Sequence, residues 1–254
     1  MIKFIRLIQN ENMKMFSQVS NWVMLGFYFV IIFFNVAMAP VDETDQFVAD
    51  PFSYFLSSAD TPMVVITTLS IIWAAGIMAA EFSSGTVKLL LIRPVTRTKI
   101  LWAKYTLVVL YALVLSILYY VLTLMFGFLL YTDASLSSEG VMILAKAAGL
   151  SFLESLFMIT LAYMIAVISY NRSLALGVSM FLYLTNTVIA FFLQTKPWSK
   201  FLFFTQLNLT KYASHDGAVS ALNTLAFALC VLGVYFILFV VATWVTFSNR
   251  DVAS

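Results

Sequence analysis

The sequence predicts an all-α fold, a polytopic membrane helix bundle with six transmembrane helices, an N-terminal interfacial helix and a short cytoplasmic helix between spans two and three. Three observations predict it. Of 254 residues, 62% are hydrophobic and only 10% charged, against roughly 25% charged in an ordinary soluble domain. A soluble protein of this length needs a polar exterior that this chain does not have. The apolar residues gather into six runs long enough to cross a hydrocarbon core, and the Lys and Arg residues gather on one side of those runs.

The runs follow from length, because roughly 20 apolar residues span a bilayer core about 30 Å thick. They cover about Val19–Ala39, Thr61–Ala80, Ala103–Tyr131, Val141–Ser169, Ser173–Gln194 and Ala221–Phe247. The third, fourth and sixth exceed the need and are expected to tilt or to continue beyond the lipid. Ala37-Met38-Ala39 resembles a signal-peptidase site. The long polar lead-in and long apolar run instead favour a retained helix. No linker or shift in composition divides the chain, so it reads as one transmembrane domain over residues 1–254.

Orientation follows from the basic residues. With the N-terminus inside, the cytoplasmic segments hold Lys3, Arg6, Lys14, Lys88, Arg93, Arg97, Lys99, Lys104, Arg172 and Arg250, and the outer segments only Lys196, Lys200 and Lys211. The first outer loop carries Asp42, Glu43, Asp45, Asp50 and Asp60 and no base. The positive-inside rule therefore places both termini in the cytoplasm of a cell membrane. Trp22, Trp102 and Trp244 fall near inner boundaries and Trp198 near an outer one, where amphipathic anchors belong.

Residues 1–18 place Ile5, Ile8 and Met15, with Leu7 nearby, roughly on one helical face amid Lys3, Arg6 and Lys14. That pattern suits a helix lying in the cytoplasmic interface, and the alternative is a frayed basic tail. The loop over residues 81–99 is the most informative stretch. Ser83 or Ser84 can cap a short helix, Val87, Leu90 and Leu91 would share its face, and Pro94 ends it. Thr96 or Thr98 can cap the long helix that follows. Physical chemistry alone leaves open whether this basic, amphipathic element does work or is a solvated loop.

The pattern Glu81-x-x-x-Gly85-Thr86-x-Lys88-x-Leu90-Leu91-x-x-Pro94-x-x-Arg97, followed by Lys104, resembles the intracellular loop of ABC-2-type permeases, the membrane subunits of one class of ATP-binding-cassette exporter. The layout is similar too, down to an apolar outer segment before the last span, here Trp198 to Leu209 within residues 196–220. The resemblance implies an exporter half powered by a separate ATPase. The chain has no Walker A sequence to cradle nucleotide phosphates, so ATP and Mg would sit on the partner and no cofactor on this chain. Gly85–Ile92 would be the coupling helix, with Leu90 and Leu91 in an apolar groove of the ATPase and Lys88, Arg93 and Arg97 around its rim. Glu81 would tie it to a base such as Arg97 or Lys104. The family pairs two permeases with two ATPases, so a second copy or a related permease is an expected partner, beside membrane lipid and without nucleic acid.

Glu154 sits near the middle of the fourth span, where an acid costs about 2.5–3.5 kcal/mol to insert, so it should face protein or water. It reads either as a pathway or gating residue or as a hydrogen-bonded packing residue. Lys146, eight residues earlier and about 12 Å along the axis, is expected to snorkel outward rather than pair with it. Ala75/Ala79, Gly76/Ala80 and Ala145/Gly149 are small-residue pairs that permit close helix packing. Asn208-Leu209-Thr210 fits a glycosylation sequon, which matters only in a eukaryotic secretory route. Cys230 and His215 are the only cysteine and histidine. They exclude an internal disulfide and leave a zinc cluster without ligands, and an intramembrane protease would want histidines within the spans. An ion-coupled secondary transporter or channel using Glu154 is the alternative, but intramembrane charge is sparse and no broken helices recur at matched positions. Few polar residues in the spans favour an amphipathic or hydrophobic cargo such as a peptide, antibiotic or lipid.

Overall fold

The computed structural model describes residues 2–37, 60–83, 96–130, 138–193, 196, 198–212 and 224–249. These form eight α-helices and no strand. They are α1 (Ile2–Phe16), α2 (Val19–Ala37), α3 (Asp60–Ser83), α4 (Arg97–Leu130), α5 (Ser138–Ser169), α6 (Arg172–Leu193), α7 (Phe203–Gln206) and α8 (Leu225–Asn249), with 3-10 turns at Ser199–Phe201 and Thr210–Tyr212. Helices are what an apolar solvent demands, since each backbone N–H and C=O must find its partner within the segment.

Four helices, α4, α5, α6 and α8, are long and apolar enough to cross a bilayer. The α1–α2 pair, bent by 78° at its break, makes a fifth candidate. The described apolar stretch of α3, Met63–Met78, is shorter. At 34 and 32 residues α4 and α5 run to roughly 50 Å, well beyond a ~30 Å core, in line with the expectation for the third and fourth runs. Thr96 immediately precedes α4, and its carbonyl accepts the N–H groups of Lys99 and Ile100. The short helix expected at Gly85–Ile92 lies outside the described residues.

The bundle is built around α5, which packs against α3, α4, α6 and α8. Inside the bundle, 61% of its apolar stretch is buried, against 6% for α6 and 11% for α8. Those two helices therefore turn most of their surface outward. Hydroxyls staple the interior. Tyr28 Oη donates to the Leu115 carbonyl at 2.7 Å, Tyr163 Oη to the Leu101 carbonyl at 2.8 Å, and Tyr105 and Thr160 share a hydrogen bond of 2.8 Å. Interhelical bonds of this kind average about 0.6 kcal/mol in membrane proteins, so they set register more than they set stability.

The small-residue expectation is met at Ala75 and Gly76, whose paired Ala79 and Ala80 have side chains outside the description, and not at Ala145 and Gly149. Ala75 is buried with Ala166 and Ala175 where α3, α5 and α6 meet, and a side chain at Gly76 would meet the Arg172 guanidinium at 3.5 Å. Ala145 and Gly149 instead face out of the bundle, and a Cβ added at Gly149 would meet nothing within 4 Å. Among the described residues they bring no neighbouring helix close. The reversal from α5 to α6 takes two residues. Tyr170 adopts φ 53° with its N–H on the Ala166 carbonyl, and Asn171 Oδ1 accepts from the Ser173 N–H at 2.9 Å, capping α6.

Residues 2–16 form a helix rather than a frayed tail. Its buried face differs from the expected one. Glu11 and Met15 are buried with Ile8 half-buried beside them, whereas Ile5 is 55% exposed. The face that docks is built around an acid.

Candidate functional site

One cavity of ≈ 670 Å³ opens between α3, α4, α5, α6 and the segment that follows α7. Met63, Val64 and Leu184 give it apolar walls, while Tyr120, Glu154 and Asn186 give it polar ones. A mixed lining of this size is typical of small-molecule sites. The residues that meet here come from the start of α3, the middle of α5 and the later halves of α4 and α6. Thr67 and Ser155 share a hydrogen bond of 2.7 Å, and Tyr120 and Ser151 one of 2.8 Å, so part of the polar wall is fixed across helices. Asn186 Oδ1 is buried without a hydrogen-bond partner among the described residues.

Glu154 projects from α5 into this space and is half-buried. Its Oε1 accepts the backbone N–H groups of Leu209 and Thr210, the latter at 3.0 Å. Those amides lead into the turn Thr210–Tyr212, the Leu209 N–H being shared with the Leu207 carbonyl at 3.1 Å, and a carboxylate is a fitting acceptor. Leu207 and Leu209 are buried at 3% and 0% exposure, so the segment enters the bundle side chains first. Lys211 lines the same cavity with its ammonium 5.0 Å over the Tyr212 ring. Burial pushes its pKa below the ordinary value, and the nearby Glu154 carboxylate only partly offsets that.

The segment is knitted to itself before it meets Glu154. Ser199 Oγ donates to the Lys196 carbonyl, Thr205 Oγ1 to the Ser199 carbonyl, and Gln206 Nε2 to the Lys200 carbonyl. Phe203 packs its ring against Phe157 of α5 at 5.4 Å and Tyr235 of α8 at 5.5 Å. The apolar outer segment read from the sequence is thus a compact structure seated on the bundle. Asn208, of the sequon, accepts from Thr210 Oγ1 at 3.0 Å in a local turn. Lys146 is exposed, as expected of a snorkelling side chain.

A second polar centre lies at the opposite end. Lys104, 1% exposed, donates to Glu11 Oε2 at 2.6 Å, and Lys14 donates to Glu11 Oε1 at 3.0 Å. Burial alone would raise the pKa of Glu11, but the Lys104 ammonium and its hydrogen bond, then those of Lys14, outweigh it and hold the carboxyl below its ordinary range. Asn21 ties the corner between α1 and α2. Its Nδ2 donates to the Met15 carbonyl at 2.5 Å, and its Oδ1 accepts from Trp73 Nε1 at 3.1 Å.

Of the residues singled out from the sequence, Glu154 and Lys104 have described surroundings. Gly85, Thr86, Lys88, Leu90, Leu91 and Arg93 lie outside the described residues. Glu81 and Arg97 lie on described helices, α3 and α4, but their side chains are outside the description, and so is the expected tie from Glu81 to Arg97 or Lys104. His215 is outside it as well. Among the described residues, no group of histidine, cysteine or acidic side chains could hold a metal, and Cys230 is exposed and unpaired. The sequence reading missed Glu11, Asn21, Trp73 and Asn186. Only Glu11 left a signal, at helical spacing between Ile8 and Met15.

A bundle of four or five membrane-crossing helices, with buried polar centres at either end and hydrophobic surfaces turned outward, defines a multi-pass integral membrane protein. The chain belongs to the family described as protein of unknown function (DUF2705), whose model matches residues 7–253. It is 31% identical to the uncharacterized membrane protein YdbK of Bacillus subtilis (strain 168) over 245 residues, which cover 94% of this chain and 99% of that one. It is also 33% identical to the uncharacterized protein YhcI of the same organism over 219 residues, covering 80% of this chain and 69% of that one.

Proposed function

We propose that this chain is the transmembrane permease subunit of an ABC-2-type exporter, moving an amphipathic or hydrophobic substrate outward on ATP hydrolysis by a separate ATPase subunit. The observation that carries the reading is the order of elements around the loop motif at Glu81–Arg97. A helix with a basic, exposed side meets the first apolar helix at 78°. The motif then joins the second apolar helix to the third, and a compact apolar segment precedes the last. Counting α2 and α3 with the four long helices gives six spans, and the positive-inside rule puts both termini in the cytoplasm.

In this reading the cavity at Glu154 lies in the outer half of the membrane and the Glu11–Lys104 pair at its inner edge. Two copies, or this chain with a relative, enclose the pathway above two ATPases, and the outward surfaces of α6 and α8 are available for that pairing. The loop carries Leu90, Leu91, Lys88, Arg93 and Arg97 to the ATPase.

Co-expression with an ABC ATPase encoded beside it tests the reading. A stable complex that hydrolyses ATP is the expected result, with no hydrolysis by the purified chain alone. Robust hydrolysis by the isolated chain overturns the reading. Transport that follows an ion gradient without any ATPase would favour the ion-coupled alternative using Glu154.

A further inference from the structure

The cavity at Glu154 is already met by peptide backbone, the chain's own. Leu207–Lys211 bury two leucines and present two consecutive N–H groups to one carboxylate oxygen. We propose that the ligand of this cavity is an amphipathic peptide, whose backbone N–H groups take over Glu154 from Leu209 and Thr210 as the outer segment moves aside.

Two features of the site select that chemistry. A carboxylate acceptor that loses two charge-assisted N–H bonds must be given others, and an acyl chain brings none. Asn186 Oδ1, buried in the same wall without a described partner, presents a further acceptor to an incoming N–H. Lys211 lies on the segment that moves aside and leaves the lining with it. Glu154 and Asn186 Oδ1 are both acceptors, so neutral N–H donors suit both. The apolar walls at Met63, Val64 and Leu184 then receive side chains, and ≈ 670 Å³ is room for a short segment rather than a folded partner. That the bound peptide is exported cargo rests on the exporter reading, whereas its binding does not.

The test uses the full chain in nanodiscs, without any ATPase. The probe is a labelled synthetic peptide, acetyl-Leu-Asn-Leu-Thr-Lys-amide, which copies the segment on Glu154. Its control carries N-methyl groups on the third and fourth residues, which remove the two donors and keep the apolar side chains. Saturable binding should be roughly tenfold or more weaker for the methylated peptide, the worth of lost hydrogen bonds to a charged acceptor. Glu154→Gln should narrow that difference. A fluorophore at Asn208→Cys, in a Cys230→Ser background, should report the segment's displacement by the first peptide only.

Equal binding of the two peptides overturns the proposal, as does equal displacement by a decyl-chain lipid, which would assign the cavity to acyl chains. So does the absence of saturable binding. Because the wild-type comparison alters only the peptide, it stands even if a variant misfolds. Failure here leaves ATPase partnership untouched, and failure of ATPase partnership leaves a positive binding result standing.

Discussion

Glu11 and Glu154 are both acids taken largely out of water, and the bundle treats them in opposite ways. Glu11 is met by two ammonium groups, one of them on a lysine 1% exposed. Glu154 is met by two backbone amides of the short segment after α7, with the Lys211 ammonium nearby. A charge answered by a charge fixes two particular helices, α1 and α4. A charge answered by amides fixes only a kind of donor, and any peptide supplies it. The first arrangement suits a permanent joint and the second an exchangeable one.

The most decisive way to break the comparison is to show that the two ends are on the wrong sides of the membrane. A cysteine at Ser58 should react fully with an impermeant reagent in intact cells, and one at Ser84 not at all. Reaction at Ser84 would exchange the two poles and undo the outer placement of the cavity.

Removing a partner from the permanent joint should have the next largest effect. Lys104→Met leaves Glu11 buried beside Lys14 alone, and breaking a buried pair costs about 3–5 kcal/mol. The melting temperature in detergent should fall, and Glu11→Gln with Lys104→Met should recover most of the loss. A double variant no better than Lys104→Met alone would show that the pair is not the coupled unit.

The exchangeable joint should be milder and sensitive to chemistry rather than charge alone. Glu154→Leu takes the Glu154 acceptor from the Thr210 amide and leaves the Leu209 amide with the Leu207 carbonyl alone, at about 1–3 kcal/mol, whereas Glu154→Gln keeps a carbonyl for them. Assembly should survive Gln, and thiol labelling at Asn208→Cys should rise in Leu well above Gln. If Gln matches wild type in transport while Leu only impairs assembly, Glu154 is a packing residue and not part of a pathway.

Smallest is the acid response of the inner joint. The carboxyl of Glu11 is held below its ordinary value of 4.5 in the folded chain. Its contribution is therefore present above that value and lost as pH falls through the folded one. Proteolysis or exchange at α1 should increase only on the acid side of 4.5, and Glu11→Gln should flatten the dependence. A loss of α1 protection centred near neutral pH would be at odds with this.

Much of the scaffold was legible because lipid imposes it. Apolar runs of the required length mark α4, α5, α6 and α8, and the outer segment was visible as greasy residues in a polar loop. The partners of the acids were not legible. Glu154 meets amides 55 and 56 residues away, and backbone N–H groups carry no sequence signature. Lys104 was read through the loop motif as a possible partner of Glu81, while the described contact is with Glu11, 93 residues earlier. A stripe rule that counts apolar residues put Ile5 on the buried face of α1 and passed over the acid that organises it. Ala145 and Gly149 failed for a related reason, since small residues permit close packing without supplying the neighbour.

The separation of Glu11 from Lys104 also has a consequence for how the chain is made. At about 5–20 residues per second, the 93 residues between them take roughly 5–20 s to synthesise. Through that interval α1 exists while the lysine it pairs with does not. Until then Glu11 has only Lys14 of its two lysines, and α1 cannot be locked onto α4 before α2 and α3 have been made. A ribosome stalled before residue 104 should carry a nascent chain whose N-terminus is still open to protease, and one stalled well past it should not.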